Sequence, residues 1–262
     1  MTGPVVSYAI IDSIRRMLAE YTVGDRVQYA ALADSEAYRA YRQQVDLLRG
    51  FDLASLGTDD EKKSFWINLY NALLIDTVIG RKIDKTLQES RGVFASTGYT
   101  VGQFWFSADD IEHGILRCNR RHPARLRKPF AADDPRQKLI LSQFDARVHF
   151  ALNCAAKSCP PIRFYDAEKI EAQLDLAARA SINGGMLALD KAAYTVSLSR
   201  IFMWYASDFG ASLFGLLGGR RLVAYAARYV DDPDERTFIQ DHMARLKVRF
   251  MAYDWGLNRY DE

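Results

Sequence analysis

The chain has 262 residues, 49% hydrophobic and 26% charged, and its 35 basic and 33 acidic residues leave a formal net charge of +2. This balance argues against nucleic acid or an anionic membrane as a partner. Three cysteines in a chain of this length are not a disulfide framework, and their odd number indicates reduced thiols. No linker or internal repeat interrupts the sequence, so we expect a single domain over residues 1–262.

The sequence shows no sign of export or membrane insertion. Its N-terminal stretch has neither the long apolar segment nor the small-residue cleavage site of a secretory signal. The most apolar window, Phe65 to Ile79, is too short to span a bilayer and contains Asn68, Asn71 and Asp76. We therefore expect a soluble, cytoplasmic protein.

The first predicted elements are helical. Helical periodicity covers residues 10–21 and 35–48, on either side of the short segment "RVQYAAL". Thr58 and Glu61 then form the pattern of a capping box, and Gly80 stands where a left-handed C-terminal residue is expected. Apolar residues cover nearly the whole circumference of the helix between these signals. A helix of this kind is buried on most sides, which predicts the central helix of the domain.

The second half of the chain mixes strand and helix signals. "GYTVGQFWF" (98–106) predicts a strand, and Ser107 with Asp110 forms a second capping signal, which opens a helix over residues 108–118. Residues 119–138 are basic and contain prolines, which predicts a loop, and "RVHFAL" (147–152) predicts a strand. The later signals are a helix over residues 166–183 that ends at Gly184 and Gly185, the strands "AYTVSLS" and "VRFMAYDW", the helices "RRLVAYAARYV" and "ERTFIQDHMARL", and a helix–helix turn at "FGLLGGRR" (214–221).

Helices dominate this pattern, and the strands are few. The predicted class is therefore α+β, mostly helical, with a small antiparallel sheet packed on the buried central helix.

Two of the three cysteines lie in "HFALNCAAKSCPPIR" (149–163). If "RVHFAL" is a strand, Asn153 and Cys154 lie at its C-terminal end, where functional side chains are common. A reactive thiol needs a nearby imidazolium, helix N-terminus or cation, and His149 is one candidate. The alternative is that Cys154 and Cys159 are small buried hydrophobic residues under a Pro-Pro turn.

A second group of candidates lies on the helix predicted over residues 108–118. Asp109, His113 and Arg117 form one stripe at i, i+4 spacing. A carboxylate one turn before a histidine can fix its tautomer and raise its basicity, as a general base requires. A solvated helix face with a ladder of ion pairs fits the same spacing.

Asn68 and Asn71 are neighbours on a helix that is otherwise apolar. An unpaired buried amide costs about 1–3 kcal/mol, so both side chains should be hydrogen-bonded to a fixed partner. That partner is either a backbone loop or a site group, such as a histidine or a substrate carbonyl.

A zinc site assembled from His113, His149, Cys154 and Cys159 would have suitable ligand types. The C-x4-C spacing, however, lacks the tight paired knuckle of structural zinc sites. The sequence also has no dinucleotide-binding fingerprint, Walker loop, H-E-x-x-H or G-x-S-x-G motif. We therefore predict no metal and no cofactor, with zinc binding as an alternative.

Taken together, these segments resemble the family catalogued as domain of unknown function 547. The matching stretches, in the family's order, are "FWINLYNALLI" (65–75), "DIEHGILR" (110–117), "DARVHFALNCAAKSCPPI" (145–162), "FMWYASDFG" (202–210) and "YDWGLN" (253–258). They extend over roughly residues 27–258, and the second and third are long and unusual.

The resemblance implies no activity, because the family is catalogued without one, but it favours a polar site over simple packing. His122 lies outside the matching stretches and His242 lies on a polar helix, so both are weak candidates. The polar residues inside the matching stretches are Asn68, Asn71, His113, Arg117, His149, Cys154 and Cys159.

The leading hypothesis is a thiol hydrolase or acyltransferase that attacks an amide, ester or isopeptide carbonyl of a small-molecule or peptide substrate. Papain-like or transglutaminase-like folds are compatible with a buried helix on a small sheet, although this helix begins with Phe-Trp rather than with a cysteine. The predicted nucleophile is Cys154 or, alternatively, Cys159, and the predicted base is His113 or His149. Asp109 or Asn68 would orient the base, and Asn71 or backbone amides would stabilise the oxyanion. Arg117 and Asn153 are predicted to bind the substrate. The alternatives are a non-catalytic peptide-binding module and a zinc-binding protein.

Overall fold

A computed structural model of the protein describes the backbone of residues 4–211 and 218–260 and the side chains of residues 9–211 and 218–260. Its contacts divide the chain into two compact units, one comprising Met1–Gln173 with Trp255–Glu262 and the other Leu174–Asp254. A single domain over residues 1–262 stays a prediction. Within the described residues, no helix combines the length and the hydrophobicity that a transmembrane span needs.

The first unit is mainly helical. Its irregular second part contains 3-10 turns at Pro135–Leu139, Ala146–Phe150 and Ala167–Lys169. Its helices and strands are α1 (Pro4–Tyr21), β1 (Thr22–Val23), β2 (Arg26–Val27), α2 (Tyr29–Ala33), α3 (Glu36–Leu47), α4 (Asp59–Gly80), α5 (Val93–Ser96), β3 (Gly98–Val101), β4 (Phe104–Ser107), a π-helix (Asp110–Leu116) and the start of α6 (Ile170–Ser181).

The central helix, α4, is as buried as its sequence predicts. Every residue from Lys63 to Ile75 is buried, because α1, α2, the π-helix and the turn at Ala167–Lys169 all pack against it. The capping box is present: the Thr58 hydroxyl accepts from the Glu61 N–H (3.2 Å), and the Glu61 carboxylate accepts from the Thr58 N–H (2.9 Å).

The C-terminal end of α4 differs from the prediction. The helix ends at Gly80 as expected, but the left-handed residue is Lys82, with φ of 52°. The capping glycine predicted from the sequence is therefore wrong. Gly80 has no positive φ, and Lys82, whose N–H donates to the Ile79 carbonyl (3.1 Å), adopts the left-handed conformation instead.

The segment "GYTVGQFWF" is two strands rather than one. β3 and β4 pair antiparallel from Gly98↔Ser107 to Val101↔Phe104, and Gly102, with φ of 59°, turns the chain between them. The hairpin packs on α4 through Phe106 and Trp66, whose ring centroids lie 4.7 Å apart. The prediction of a small antiparallel sheet against the central helix is thus confirmed in this unit.

The helix predicted over residues 108–118 is wound as a π-helix. The capping signal is confirmed, since the Asp110 carboxylate accepts from the Ser107 N–H (3.0 Å) and the Ser107 hydroxyl accepts from the Asp110 N–H (3.0 Å). The wider winding appears in bonds five residues apart, such as Arg117 N–H to the Glu112 carbonyl (2.8 Å). π-Helical segments are frequent at functional sites.

The strand predicted at "RVHFAL" is wrong. Residues Ala146–Phe150 form a 3-10 turn, begun by Asp145, whose side chain accepts from the Arg147 N–H (2.9 Å). The same carboxylate pairs with the Arg147 guanidinium. This local cap outweighs the apolar pattern, and the site residues that follow lie on a loop rather than at a strand end.

The second unit contains a three-stranded mixed sheet. β5 and β6 are antiparallel, with Asp190↔Thr195 next to the turn, whereas β6 and β7 are parallel, with Thr195↔Lys247. The strand predicted at "AYTVSLS" is β6, whereas the one predicted at "VRFMAYDW" (248–255) is present only in its first part, as β7. The elements are the end of α6, a π-turn at Ile182–Met186, β5 (Leu187–Asp190), β6 (Thr195–Leu198), α7 (Arg200–Trp204), α8 (Gly219–Ala227), α9 (Pro233–His242) and β7 (Lys247–Phe250).

Both units mix helices with small sheets, so the class is α+β, as predicted. Most of the turn predicted at "FGLLGGRR" lies outside the described residues; α8 begins directly after it, at Gly219.

Asn68 fixes the segment that precedes α6 to the middle of α4. Its Nδ2 donates to the Tyr165 carbonyl (2.7 Å) and its Oδ1 accepts from the Tyr165 N–H (3.0 Å), so both ends of the amide are used by one backbone residue. The side chain is fully buried. Of the two partners that the sequence leaves open for this amide, the structure therefore contains the backbone loop.

We expect Asn68→Ala to lower the free energy of unfolding by about 2–4 kcal/mol, because it leaves two buried backbone groups of Tyr165 unpaired. Denaturant unfolding of the purified variant measures this loss. Gln43→Ala, at an exposed position of α3, is the control and should change the stability by less than about 0.5 kcal/mol. Equal small effects of the two substitutions would contradict the structural role of Asn68.

Candidate functional site

Asn71 holds the cysteine-containing loop (residues 151–160) against α4. Its Nδ2 donates to the Ala151 carbonyl (2.9 Å), and its Oδ1 accepts from the Asn153 N–H (2.9 Å). Asn71 lies one helical turn after Asn68, so the two amides face the same side of α4. Here too the partner is a backbone loop, but this loop carries two of the cysteines.

Asn153 organises the interior of the cysteine loop. Its Oδ1 accepts from the Ala155 N–H (2.8 Å) and from Asn258 Nδ2 (3.3 Å), and its Nδ2 donates to the Pro160 carbonyl (2.6 Å). Asn258 in turn accepts from the Tyr29 hydroxyl (2.6 Å). The side chain predicted to bind substrate is thus engaged in shaping the loop.

Ala155 has φ of 60°, in the left-handed region that non-glycine residues seldom adopt. A backbone residue in such a conformation persists only when its surroundings hold it there. The Asn153 side chain and the Asn258 N–H, which donates to the Ala155 carbonyl (2.9 Å), supply that restraint. The loop is therefore fixed at the residue immediately after Cys154.

This loop brings Cys154 and Cys159 into direct contact. Their sulfur atoms lie 2.7 Å apart, and the Cys154 N–H donates to Cys159 Sγ (3.1 Å). Cys159 is buried, with 9% of its surface exposed, whereas Cys154 is more accessible. No disulfide joins them in this structure. Each sulfur contacts the other, and Cys159 Sγ also accepts a backbone N–H.

His113 lies in the π-helix and is buried, with 2% of its surface exposed. Arg117, equally buried, donates from Nη1 to His113 Nδ1 (2.9 Å) and to the Arg121 carbonyl (3.0 Å). A guanidinium has no acceptor, so Nδ1 must accept and the proton of the neutral ring is on Nε2. The predicted Asp109–His113–Arg117 stripe is present, but as a buried network rather than a solvated face.

Burial lowers the pKa of His113 to about 3. The carboxylate of Glu112 opposes this shift, while the neighbouring Arg117 guanidinium and the His122 and His149 side chains add to it. The ring is therefore neutral over the whole physiological range.

The loop after the π-helix completes this cluster. The His122 ring lies edge-on to His113, with centroids 4.7 Å apart, and Arg125 Nη2 lies 2.7 Å from Asp109 Oδ2. His113 Nε2 is 3.9 Å from Asp109 Oδ1. Burial raises the pKa of Asp109, against the opposing charge of Arg125, and burial lowers the pKa of His122.

From the sequence, His122 is a weak candidate because it lies outside the stretches that resemble the family, and Arg125 carries no prediction. The sequence contains one signal for the position of His122. The basic loop that carries it follows the π-helix directly, so the first residues of this loop lie near His113 unless the chain turns away.

Asp109, His113 and His122 offer ligand atoms that all lie within 4.8 Å of one another, the spacing of a metal site. A ligating histidine normally binds with one ring nitrogen and donates from the other. In His113, Nδ1 accepts from Arg117, and in His122, Nδ1 accepts from the Ala124 N–H (2.9 Å). The proton of each neutral ring is therefore on Nε2. The donor set does not fit a metal bound through Nε2.

The zinc alternative suggested by the sequence used different residues. Among the described residues, His113, His149, Cys154 and Cys159 do not form a cluster of potential ligands. His149 lies at the end of the 3-10 turn, buried, with its ring 6.3 Å from that of Phe144. His242, on α9 of the second unit, packs against Tyr194 and Phe238.

One turn of α4 holds the histidine cluster and the cysteine loop together. The Tyr70 hydroxyl donates to Glu112 Oε2 (3.1 Å) in the π-helix, and the next residue, Asn71, clamps the cysteine loop. Glu112 Oε1 lies 3.6 Å from His113 Nδ1. Asn68 belongs to neither group, since its amide is engaged with Tyr165.

We expect the protein to lose stability on acidification below about pH 6.5, the ordinary pKa of an unfolded histidine. The unfolded chain takes up a proton at His113 there, while the folded chain does so only near the pKa of about 3. By pH 5 this group alone accounts for a loss of up to about 2 kcal/mol. His122 acts in the same direction, and Asp109, whose pKa is raised, acts in the opposite one.

The measurement is urea unfolding of the wild type and of His113→Asn at pH 7 and pH 5. The asparagine can keep an oxygen acceptor for Arg117 without titrating, so the free energy of unfolding should differ less between pH 7 and pH 5 in the variant than in the wild type. If this pH-dependent difference is the same in both proteins, His113 is protonated in the folded protein at pH 5.

We also expect reduced protein, purified without a chelator, to hold well below about one equivalent of zinc per chain. Elemental analysis measures this directly. Full occupancy that disappears in His122→Ala or Asp109→Asn would contradict the tautomers assigned above.

Residues 53–182 match the model of a family described as "Protein of unknown function, DUF547". The match begins just before α4 and contains the π-helix, the histidine cluster and the cysteine loop. No curated protein and no solved structure matches the chain. The protein therefore contains, over residues 53–182, a domain of the DUF547 family.

Proposed function

We propose that the protein is a cysteine-dependent hydrolase or acyltransferase whose nucleophile is Cys154. The observation that carries the proposal is that Asn71 of α4 binds both Ala151 and Asn153, so the loop with Cys154 is held rigidly just after the turn that carries His149. Nucleophilic catalysis needs such groups on rigid elements close to one another.

The loop supports the choice of Cys154 over Cys159. Cys154 is the more accessible of the two thiols, and the restrained backbone of Ala155 fixes its direction. A nucleophile next to a strained residue is pre-positioned rather than mobile. Cys159, buried against it, accepts the Cys154 N–H and acts as a polar neighbour.

The general base in this proposal is His149, on the 3-10 turn that leads into the cysteine loop. His113 is the poorer base, because Arg117 donates to its Nδ1 and burial lowers its pKa to about 3. His113 and Arg117 position the π-helix instead, with Asp109 as the carboxylate that faces His113 Nε2.

Asn71 is a positioning residue and not the oxyanion donor, since its Nδ2 donates to the Ala151 carbonyl. In the reaction, His149 takes the proton from Cys154 as sulfur attacks the carbonyl carbon. The same proton passes to the leaving amine or alcohol when the carbon–heteroatom bond breaks. Water, or an acceptor nucleophile, then releases the acyl group from sulfur.

The test is the hydrolysis of p-nitrophenyl acetate together with alkylation of each cysteine by iodoacetamide, read by peptide mass spectrometry between pH 5.5 and 9. We expect Cys154→Ala to lower the Cys-dependent rate at least about 100-fold, with a comparable loss in His149→Asn. Cys154 in the wild type should be alkylated well below the pH at which a free thiol reacts, about 8.5.

Cys118→Ala is the matched control, because Cys118 is a half-buried thiol whose Sγ donates to the Leu141 carbonyl (3.4 Å) away from the loop. It should leave both measurements unchanged. If Cys154 reacts only near pH 8.5 and Cys154→Ala retains the full ester hydrolysis, the nucleophile assignment is lost. A non-catalytic ligand-binding module would then be the better account of the cluster.

A further inference from the structure

The contact between Cys154 and Cys159 has a second chemical consequence. The two sulfur atoms lie 2.7 Å apart as thiols, so an approach of less than about 1 Å brings them to the length of a disulfide bond. Four residues separate the two cysteines, and the left-handed Ala155 folds that short segment back on itself. Little chain movement is needed to join them.

We infer that Cys154 and Cys159 are a reversible dithiol–disulfide pair, oxidised by peroxide, in which Cys154 is the attacking thiol and Cys159 the resolving thiol. The division of roles follows from accessibility. Cys154 is the more exposed sulfur and meets the oxidant, while Cys159 is buried directly behind it. The Cys154 N–H that points at Cys159 Sγ favours negative charge on that sulfur, as the resolving step requires.

The chemistry balances with hydrogen peroxide as the only co-reactant. The Cys154 thiolate attacks one peroxide oxygen, the O–O bond breaks, and a sulfenic acid and hydroxide are formed. Cys159 then attacks the sulfenic sulfur, the S–O bond breaks, and water leaves as the S–S bond forms. In sum, two thiols and one peroxide give one disulfide and two water molecules. An added dithiol then reduces the disulfide to the two thiols by exchange and is itself oxidised to a disulfide.

The surrounding hydrogen bonds fix the positions of Cys154 and Cys159 relative to each other. Asn71 and Asn153 hold the start of the loop, and Asn153 Nδ2 also binds the Pro160 carbonyl, next to Cys159. Both ends of the cysteine pair are therefore fixed by one asparagine. Cys118 lies on a different segment, where its Sγ donates to the Leu141 carbonyl.

Oxidation of the pair removes Cys154 as a reactive thiol. The regulatory meaning of this step, a redox switch on acyl transfer, rests on the proposed function. The formation of the disulfide does not, because it requires only the two sulfurs and the oxidant.

The experiment treats reduced full-length protein with a small molar excess of hydrogen peroxide and follows intact mass and peptide maps. We expect the loss of two hydrogens per chain, a Cys154–Cys159 cross-link, and full recovery with dithiothreitol. Iodoacetamide labelling of Cys154 should fall at least about tenfold on oxidation, while labelling of Cys118 stays unchanged.

Cys159→Ser and Cys118→Ser separate the two steps. In Cys159→Ser the sulfenic acid on Cys154 has no resolving thiol, so dimedone should trap it; in Cys118→Ser the disulfide should form as in the wild type. The inference is overturned if peroxide leaves Cys154 and Cys159 alkylated at the untreated rate, or if Cys118 is oxidised first.

Failure of the proposed function would look different. If the cross-link forms but the reduced protein has no Cys154-dependent ester hydrolysis, the dithiol pair stands and the hydrolase does not. If the reduced protein hydrolyses the ester and peroxide forms no cross-link, the pair is lost and the hydrolase remains.

Discussion

The described part of the first unit depends on two buried amides of the central helix. The chain between the π-helix and α6 has little regular structure, so its buried backbone groups lack the partners that a helix or sheet provides, and leaving them unpaired is costly. Asn68 and Asn71 supply those partners from within an otherwise apolar helix, each through one donor and one acceptor. The irregular segments that carry the candidate site thus have positions as fixed as those of strands.

A second constraint is the burial of a charged guanidinium. Arg117 is 2% exposed, and a buried cation is tolerated only with hydrogen-bonding partners around it. His113 Nδ1 is one such partner, and the bond has consequences for the chemistry of the ring. It fixes the tautomer and helps to keep the ring neutral, so the residue that looks most like a base or a zinc ligand from its spacing is suited to neither role. The proposed mechanism therefore assigns the chemistry to His149 and Cys154 instead.

The sequence predicts well the local structure that depends on residues close together in the chain. It predicts poorly the structure that depends on contacts formed only in the folded protein. The capping boxes of α4 and of the π-helix are confirmed because both partners lie within three residues. The strand at "RVHFAL" fails for two reasons: the apolar pattern outweighs a local Asp145 cap in the prediction, and it says nothing of Asn71, more than seventy residues away. His122 is a weak candidate from the sequence because it lies outside the stretches that resemble the family, and only the folded loop brings it beside His113. Family resemblance identified the segments of the site, but not their contacts.

The rigid loop ties two properties of Cys154 together. A loop that holds a thiol in one direction also holds whatever lies beside that thiol, and here the neighbour is the Cys159 sulfur at 2.7 Å. Pre-organisation therefore favours attack on a bound carbonyl and attack by the second thiol alike, because both depend on the fixed position of one sulfur. The two reactions exclude each other, since a sulfur in a disulfide is not a nucleophile. If both proposals hold, Cys154 transfers acyl groups only while Cys159 remains a separate thiol, so the activity depends on the redox state of its surroundings.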